Sequence, residues 1–400
     1  MPWRTGSPQE VFRAFAKLGL TAFGGPVAHL GYFRREFVER RAWLSDAQFA
    51  QLVALSQFLP GPASSQLGFA IGLRRAGMGG ALAAFVAFTL PSALLLFAFG
   101  TSLPRLQSPF AERVLHGLAL AAVAIVAHGV TRMAQRLTPD LPRAVLALVA
   151  ATVMLLGSLP WLQLAVIVGG ALAGLVFLSH ATDGAMPASP TAAGVRGGAA
   201  ALVVAGVLLA LALLLPATEP TLVAIAAVFW RAGSLVFGGG HVVLPLLQHA
   251  TVSPGWVSVE TFLTGYGAAQ AVPGPMFTLA TFLGAQIPTA AHPAAGALVA
   301  TLAIFAPGFL LLIGALPLWE RLSHAGSARR LVAGVNAAVV GLLLAALIDP
   351  VMSKALHSGA DVAIATLALV AIWPERRSAL WALVVGVAGS VAVAAVGGRL

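Results

Sequence analysis

The chain has 400 residues, of which 59% are apolar and only 9% charged, with a mean hydropathy of +0.93; a soluble domain carries roughly 25% charged residues to face water, so the outside of this chain must face lipid. The formal charge of +10 arises from 23 Lys and Arg against 13 Asp and Glu, but these basic residues sit in short gaps between apolar runs, which points to membrane topology and away from nucleic acid. There is no cysteine, which removes thiol catalysis, disulfides and thiolate metal sites.

In chain order, the N-terminus (MPWRTGSPQEVF) lacks the charged start, apolar run and small-residue cleavage site of a removable signal peptide. Residues 8–41 are apolar but interrupted at Phe23 to Pro26 (FGGP), and residues 45–75 at Pro60 to Pro62 (PGP). Uninterrupted apolar spans follow at 79–101, 110–131, 142–157 and 160–179. Residues 180–198, rich in Ala, Gly, Pro and Ser, read as a linker, and 199–216 as a further span. A second interrupted region holds FGGG at Phe237 to Gly240 and PGP at Pro273 to Pro275, followed by spans at 294–317, 329–348, 360–373 and 378–397. A helical span needs about 20 residues, so 142–157 and 360–373 are short. Adjacent Gly and Pro end helices through lost donors and restricted dihedrals, which predicts helical hairpins or discontinuous helices at all four interruptions.

The second region repeats the first. Lys17, Gly19, Phe23, Gly24 and Gly25 match Arg231, Gly233, Phe237, Gly238 and Gly239; Trp43, Ser45 and Phe49 match Trp256, Ser258 and Phe262. Gln57, Pro60, Gly61, Pro62 and Phe69 match Gln270, Pro273, Gly274, Pro275 and Phe282, and Gly80, Pro91 and Gly117 match Gly296, Pro307 and Gly334. Arg34, Arg35, Arg40, Arg41, Arg74 and Arg75 surround the first-half interruptions, and the matching second-half stretches carry none. The gap near 132–143 holds Arg132, Arg136 and Arg143 against Lys354 alone; near 157–160 the bias reverses, with Arg376 and Arg377 in the counterpart. Equivalent loops therefore face opposite sides, although Arg105 and Arg113, set against Arg321, Arg329 and Arg330, discriminate little. The expected fold is an all-α polytopic membrane protein: an inverted-topology repeat with broken or re-entrant helices at the FGG and PGP motifs. Residues 1–179 form the first repeat, 180–218 a linker with one transmembrane helix, and 219–400 the second repeat. The expected location is the cell (inner) membrane, multi-pass, with a cytoplasmic N-terminus.

Inverted repeats with broken helices are the architecture of secondary transporters, whose half-helix ends point at substrate. The alternative is that FGG and PGP close tight turns at the membrane surface. In the first half Pro60 should end one helix and Pro62 fits the first position of the next. The following N–H groups carry the positive end of the helix dipole, and Ser64 and Ser65 add hydroxyl donors, a set that suits an oxyanion. The second-half copy keeps only Thr278. Lys17 and Arg231 lie six residues before each FGG; facing each other they could neutralise a dianion, or they snorkel to the interface. Gln57 and Gln270, three residues before each PGP, either bind substrate or join helices. His241 either senses protons or stays neutral; for His29, His116 and Glu112 structural roles are favoured, and Glu36 and Glu39 are expected in surface ion pairs. No phosphate-binding loop with its lysine occurs, and no His or carboxylate cluster has metal spacing, so no cofactor is expected.

The stretch from FGGPVAHLGYF to SQFLPGPASSQLGFAIGLRRAG, with FGGGHVVLPLL and QAVPGPMFTLATFLGAQ, resembles the chromate ion transporter family in its long, two-repeat form, over nearly the whole chain. The resemblance implies export of chromate from the cytoplasm, with resistance as the outcome. The substrate-binding residues expected from the motifs are Lys17, Gly24, Gly25, Gln57, Gly61, Ser64, Ser65, Arg231, Gly238, Gly239, His241, Gln270, Gly274 and Thr278. Chromate and sulfate share shape and charge, so a transporter or channel for sulfate or another oxyanion stays open. A membrane enzyme such as a chromate reductase is disfavoured by the missing cysteines and nucleotide motifs. The partners expected are the oxyanion and the lipid bilayer; the oligomeric state is open, a homodimer included.

Overall fold

A computed structural model of the chain describes residues 6–23, 25–103, 108–157, 162–178, 195–215, 219–236, 243–318, 326–373 and 379–397. All regular elements among them are helical. The first half holds α1 (Pro8–Thr21), α2 (Gly25–Arg34, passing into a π-helical turn Arg35–Arg40), α3 (Asp46–Phe58), α4 (Ala63–Ser102), α5 (Pro109–Leu137), α6 (Leu141–Leu156) and α7 (Leu162–Phe177). Next come α8 (Val195–Leu214), α9 (Leu222–Leu235), α10 (Val243–Thr251), α11 (Val259–Ala271), α12 (Leu279–Gln286, entered by a 3-10 turn Met276–Thr278) and α13 (Pro293–Ala315). The chain ends with α14 (Gly326–Ala346), α15 (Gly359–Ile372) and α16 (Leu380–Gly397). The predicted spans each coincide with one of these helices; the predicted linker lies mostly outside the described residues.

Helix starts follow the local chemistry. Ser7 accepts from the Glu10 amide with Pro8 in the first turn; Ser45 with Gln48, and Ser358 with Asp361, form reciprocal capping boxes. Ser108, Asp140 and Thr221 cap α5, α6 and α9, each accepting one backbone amide without the reciprocal bond. The 40-residue α4 is two helices: Ala76 (φ −141°) and Gly77 (φ +66°) leave helical geometry, so the chain turns back and the predicted stretches 45–75 and 79–101 stay distinct. Among the described residues, five helical stretches are long and apolar enough to cross a membrane: Ala63–Ser102, Pro109–Leu137, Gly197–Leu214, Pro293–Leu318 and Arg329–Ala355. Helices α6 and α15, with 16 and 14 residues, are about 24 and 21 Å long at 1.5 Å per residue, short of the roughly 30 Å hydrocarbon core.

The chain forms two compact units, and each draws on both halves of the sequence. One comprises residues 1–99, 184–243 and 272–325; the other comprises 100–183, 244–271 and 326–400. In the first unit, glycines let helix backbones touch. A Cβ on Gly72 would lie 2.4 Å from the Gly80 carbonyl oxygen, and one on Gly284 would lie 2.4 Å from that of Gly296, so the same glycine hairpin occurs in both halves. Gly19 packs on the Ala87 carbonyl and Gly233 on that of Ile304, again at equivalent places. A cluster of Phe15, Phe33, Phe37 and Phe88 fills the space between α1, α2 and α4. In the second unit α5 meets α16 at Gly117 and Gly386, α14 meets α7 at Gly334 and Gly170, and α14 meets α6 at Gly341 and Ala147. Small residues at such crossings let helices associate by close van der Waals contact where lipid removes any hydrophobic drive. There too His116 Nε2 lies 2.8 Å from Asp361 Oδ1, joining α5 to α15, while Asp361 Oδ2 accepts from the His357 and Ser358 amides.

Gly334 and Gly206 make a direct test of this packing. A Cβ on Gly334 would stand 2.1 Å from the Gly170 carbonyl oxygen, whereas one on Gly206 meets nothing within 4 Å. Gly334→Leu is expected to lose at least about 1–3 kcal/mol and to melt several degrees lower in detergent, whereas Gly206→Leu should melt with the wild type. Equal melting of the two variants would contradict the crossing.

Candidate functional site

The first PGP loop is built from its prolines and one glycine. Helix α3 closes with the Leu59 amide on Leu55 O; Pro60 has no amide to continue it. Gly61 takes φ +126°, a region that side chains with a Cβ rarely enter, and a Cβ there would also lie 2.8 Å from Gly308 Cα. The Pro62 carbonyl accepts from the Gln66 amide at 2.9 Å and the helix begins at Ala63. Pro62 is thus the capping residue rather than the first helical residue that the sequence suggests: its carbonyl opens the hydrogen-bond ladder and the helix itself starts one residue later, at Ala63. The amides of Ala63, Ser64 and Ser65 then have no intrahelical acceptor. Ser64 and Ser65 are buried, and Ser65 Oγ finds no hydrogen-bond partner among the described residues. Gln66 is fully buried; its Nε2 donates to Pro60 O and to Gly308 O, both at 2.9 Å.

The second loop follows the same backbone plan with different side chains. Gly274 takes φ +105°, and its Cβ would stand 2.8 Å from Ser92 Oγ. Gly308 and Ser92, the residues against which the two loop glycines press, each follow the proline inside a helix, Pro307 and Pro91. Thr278 donates its hydroxyl to Pro275 O at 2.7 Å, so this hydroxyl caps its own turn.

The two loops exchange hydrogen bonds with the opposite half. The Gly61 amide donates to Val236 O at 2.7 Å, and the Gly274 amide donates to Ala22 O at 3.0 Å. Val236 ends α9 just before FGGG, and Ala22 ends α1 just before FGG. Ala22 O is also reached by His29 Nε2 at 3.3 Å, which must carry the ring hydrogen to face a carbonyl; Val243 stands at the equivalent place in the second half. Arg231 and Lys17 lie five residues before Val236 and Ala22, on the same helices. Each cation therefore lies on the helix whose end receives the PGP loop of the other half.

The two cations differ in surroundings. Lys17 is half-exposed and its ammonium lies 4.0 Å from Glu36 Oε2. Glu36, expected at the surface, is 5% exposed and is held by Arg40 at 3.1 Å and Arg41 at 2.6 Å; the π-helical turn carries it inward beneath those side chains. Burial pushes the Glu36 carboxyl up, but hydrogen bonds from Arg41 and Arg40 outweigh it and hold the group below its usual range. Glu39 pairs with Arg34 in an exposed ion pair, as expected. Arg231 is half-buried, its Nε reaches only Ala227 O at 3.4 Å, and it meets no carboxylate among the described residues.

Of the residues singled out in the sequence, the structure brings Gly61, Ser64 and Ser65 together with Val236 at the end of the Arg231 helix, and Gly274 together with Ala22 at the end of the Lys17 helix. Gly25 opens α2 with φ +75°. Gln57 is half-buried near the end of α3, whereas Gln270 is buried and hydrogen-bonded to Tyr266 within α11. Gly24, Gly238, Gly239 and His241 lie outside the described residues. One contributor was missed, Gln66, signalled by a lone amide in an apolar stretch four residues after Pro62; His29, for which a structural role was favoured, is buried and reaches the Ala22 carbonyl.

A sequence model described as chromate transporter matches residues 9–175 and 223–392. A chromate transport protein of Pseudomonas aeruginosa is 30% identical over 95% of this chain and 91% of its own, and one of Cupriavidus metallidurans is 31% identical over 91% and 86%. An uncharacterized transporter of Methanocaldococcus jannaschii is 26% identical over 85% and 83%. The comparison with solved structures finds no match. The match in two segments covers both halves that carry the FGG and PGP motifs, and the chain belongs to the chromate transporter family, a family of multi-pass membrane transporters rather than enzymes.

Proposed function

We propose that this protein is a secondary transporter that exports chromate across the cytoplasmic membrane and thereby confers chromate resistance. The observation that carries the reading is the first PGP loop: a helix start whose first amides have no intrahelical acceptor, a buried Ser65 hydroxyl with no partner among the described residues, and Arg231 on the helix that receives the Gly61 amide. Such a cluster of donors is what a tetrahedral oxyanion needs. The substrate itself comes from the names of the relatives, which are chromate transport proteins.

The reciprocal bonds Gly61–Val236 and Gly274–Ala22 support an inverted repeat of residues 1–179 and 219–400 joined by 180–218, because a twofold relation exchanges equivalent partners. The basic first-half loops put that side and the N-terminus in the cytoplasm. Alternating access then amounts to one loop opening as the other closes around a shared centre. Expelling a dianion from a negative interior moves two charges down the potential, at about 2.3 kcal/mol per charge per 100 mV. At ~150 mV this is about 7 kcal/mol, enough for a gradient of roughly five orders of magnitude, so the potential alone can drive export, with or without a proton gradient.

Chromate flux in proteoliposomes with an imposed potential tests the activity. It should saturate, follow the potential and be weakly blocked by sulfate. Robust flux of another oxyanion with none of chromate would remove the substrate, and non-saturating flux far above transporter rates would make the protein a channel. Arg231→Gln should cut saturable flux roughly ten- to hundredfold, since a charged hydrogen bond contributes about 1.5–3 kcal/mol. Lys17→Gln, whose ammonium is already engaged by Glu36, should cut it less. Wild-type flux in purified, folded Arg231→Gln protein would exclude that residue from the site.

A further inference from the structure

The first PGP loop carries a side chain unlike any in its copy. The Gln66 amide has one satisfying orientation: two carbonyl oxygens, of Pro60 and Gly308, lie 2.9 Å from one end, so that end is the nitrogen and Oε1 faces away from both. Oε1 is buried and has no hydrogen-bond partner among the described residues; the neighbouring Ser65 Oγ is in the same condition. Gln66 is 0% and Ser65 3% exposed, and both occupy the first turn of α4, beside amides with no intrahelical acceptor. In the second half Thr278 satisfies its own hydroxyl and Leu279 stands where Gln66 stands in the first.

Amides and a hydroxyl would serve a fully deprotonated dianion. A buried carbonyl oxygen would not, since it faces oxygen with oxygen. It serves an oxyanion that keeps one proton, whose O–H can donate to it. Taking the oxyanion-site reading of the loop as its basis, we infer that this loop selects the monoprotonated oxyanion, with the substrate O–H donating to Gln66 Oε1. The anionic oxygens accept from the first-turn amides and from Ser65, and Arg231 balances a single charge. Lys17 is not needed for that balance, which agrees with its engagement by Glu36.

The consequence is discrimination. Hydrogen chromate is a weak acid, and much of it keeps its proton near neutral pH. Sulfate and selenate have the same shape and charge but derive from strong acids and carry no proton there. Gln66 separates chromate from them by protonation state. Each export event then removes one charge and one proton together, with about half the electrical drive of a dianion. Among the described residues, the charged or titratable groups on the elements that form or meet the loop are Asp46 at the far end of α3, Arg231 on α9 and, at the far end of the helical stretch that follows the loop, Arg74 and Arg75; α13 carries none. His29 lies at the other loop, against Ala22 O.

The test uses the full-length protein in proteoliposomes with equal pH on both sides and a fixed potential, comparing chromate with selenate from mildly acidic to mildly alkaline pH. Chromate flux should fall roughly tenfold per pH unit on the alkaline side, following the protonated species, while selenate moves at least about tenfold more slowly and competes poorly. Gln66→Met removes the acceptor at similar volume; it should bring acid-side chromate flux down to the selenate level and abolish the pH slope. A flat pH profile with selenate competing equally overturns the inference and leaves the oxyanion site standing. A slope that survives in Gln66→Met belongs to a protein group such as His29 and overturns it as well. Chromate flux unchanged in both Ser65→Ala and Gly61→Ala would overturn the site itself. If Gln66→Met fails to fold, the wild-type profile with selenate decides alone.

Discussion

Two backbone hydrogen bonds, from Gly61 to Val236 and from Gly274 to Ala22, tie the proline-flanked loop of each half to the end of a helix in the other. They are possible only because the loop residue is glycine: φ values of +126° and +105° aim the amide outward, and any Cβ would strike Gly308 or Ser92. The consequences spread from there. Because each loop is fixed to the opposite half, neither repeat can complete its own motif, which gives a physical reason for two copies in one chain. The acceptors Ala22 and Val236 close α1 and α9, and Lys17 and Arg231 each lie five residues before them on those helices. Gly19 and Gly233, packed on the carbonyls of Ala87 and Ile304, bring α1 and α9 close enough to the proline-bearing helices for the exchange to reach.

Much of this fold is legible in the sequence. Spans can be read because apolar length is dictated by the bilayer, and breaks because Gly and Pro act through their own dihedrals. Ser45 with Gln48, and Ser358 with Asp361, announce helix starts locally. What the sequence does not disclose is which half each motif serves. A local pattern such as PGP specifies a turn but not the carbonyl that its glycine will meet 175 residues later, as Gly61 meets Val236. Glu36 illustrates the same limit: a glutamate among arginines reads as a surface ion pair, and only the π-helical turn after α2 makes it a buried centre for Lys17, Arg40 and Arg41. Gln66 was legible only as an amide in an apolar stretch; its partners come from Pro60 and from α13, 242 residues away.

The duplicated scaffold has been filled unequally. The first loop carries Ser64, Ser65 and Gln66; the second carries Phe277, Thr278 and Leu279 at the same places. Around the first-half hairpin Arg75 binds Glu10 and lies 4.9 Å over the Trp43 ring, Arg41 lies 5.3 Å from that ring, and Phe37 stacks on it. Its counterpart Trp256 is buried in a stretch without basic residues. An arginine stacked on an aromatic face keeps its charge while losing little freedom, so the first-half side holds positive charge in fixed positions, whereas the second-half side does not.

That inequality bears on what the two copies of the motif can each do. The direction of net movement is set by the electrochemical gradient acting on the substrate charge, whatever the affinities of the two loops. Donors and an acceptor are concentrated at the first loop, Arg231 meets no carboxylate among the described residues, and Lys17 is tied to Glu36, so the two halves do not present equivalent chemistry. Differential binding of this kind, rather than backbone symmetry, is what couples occupancy to a change of state.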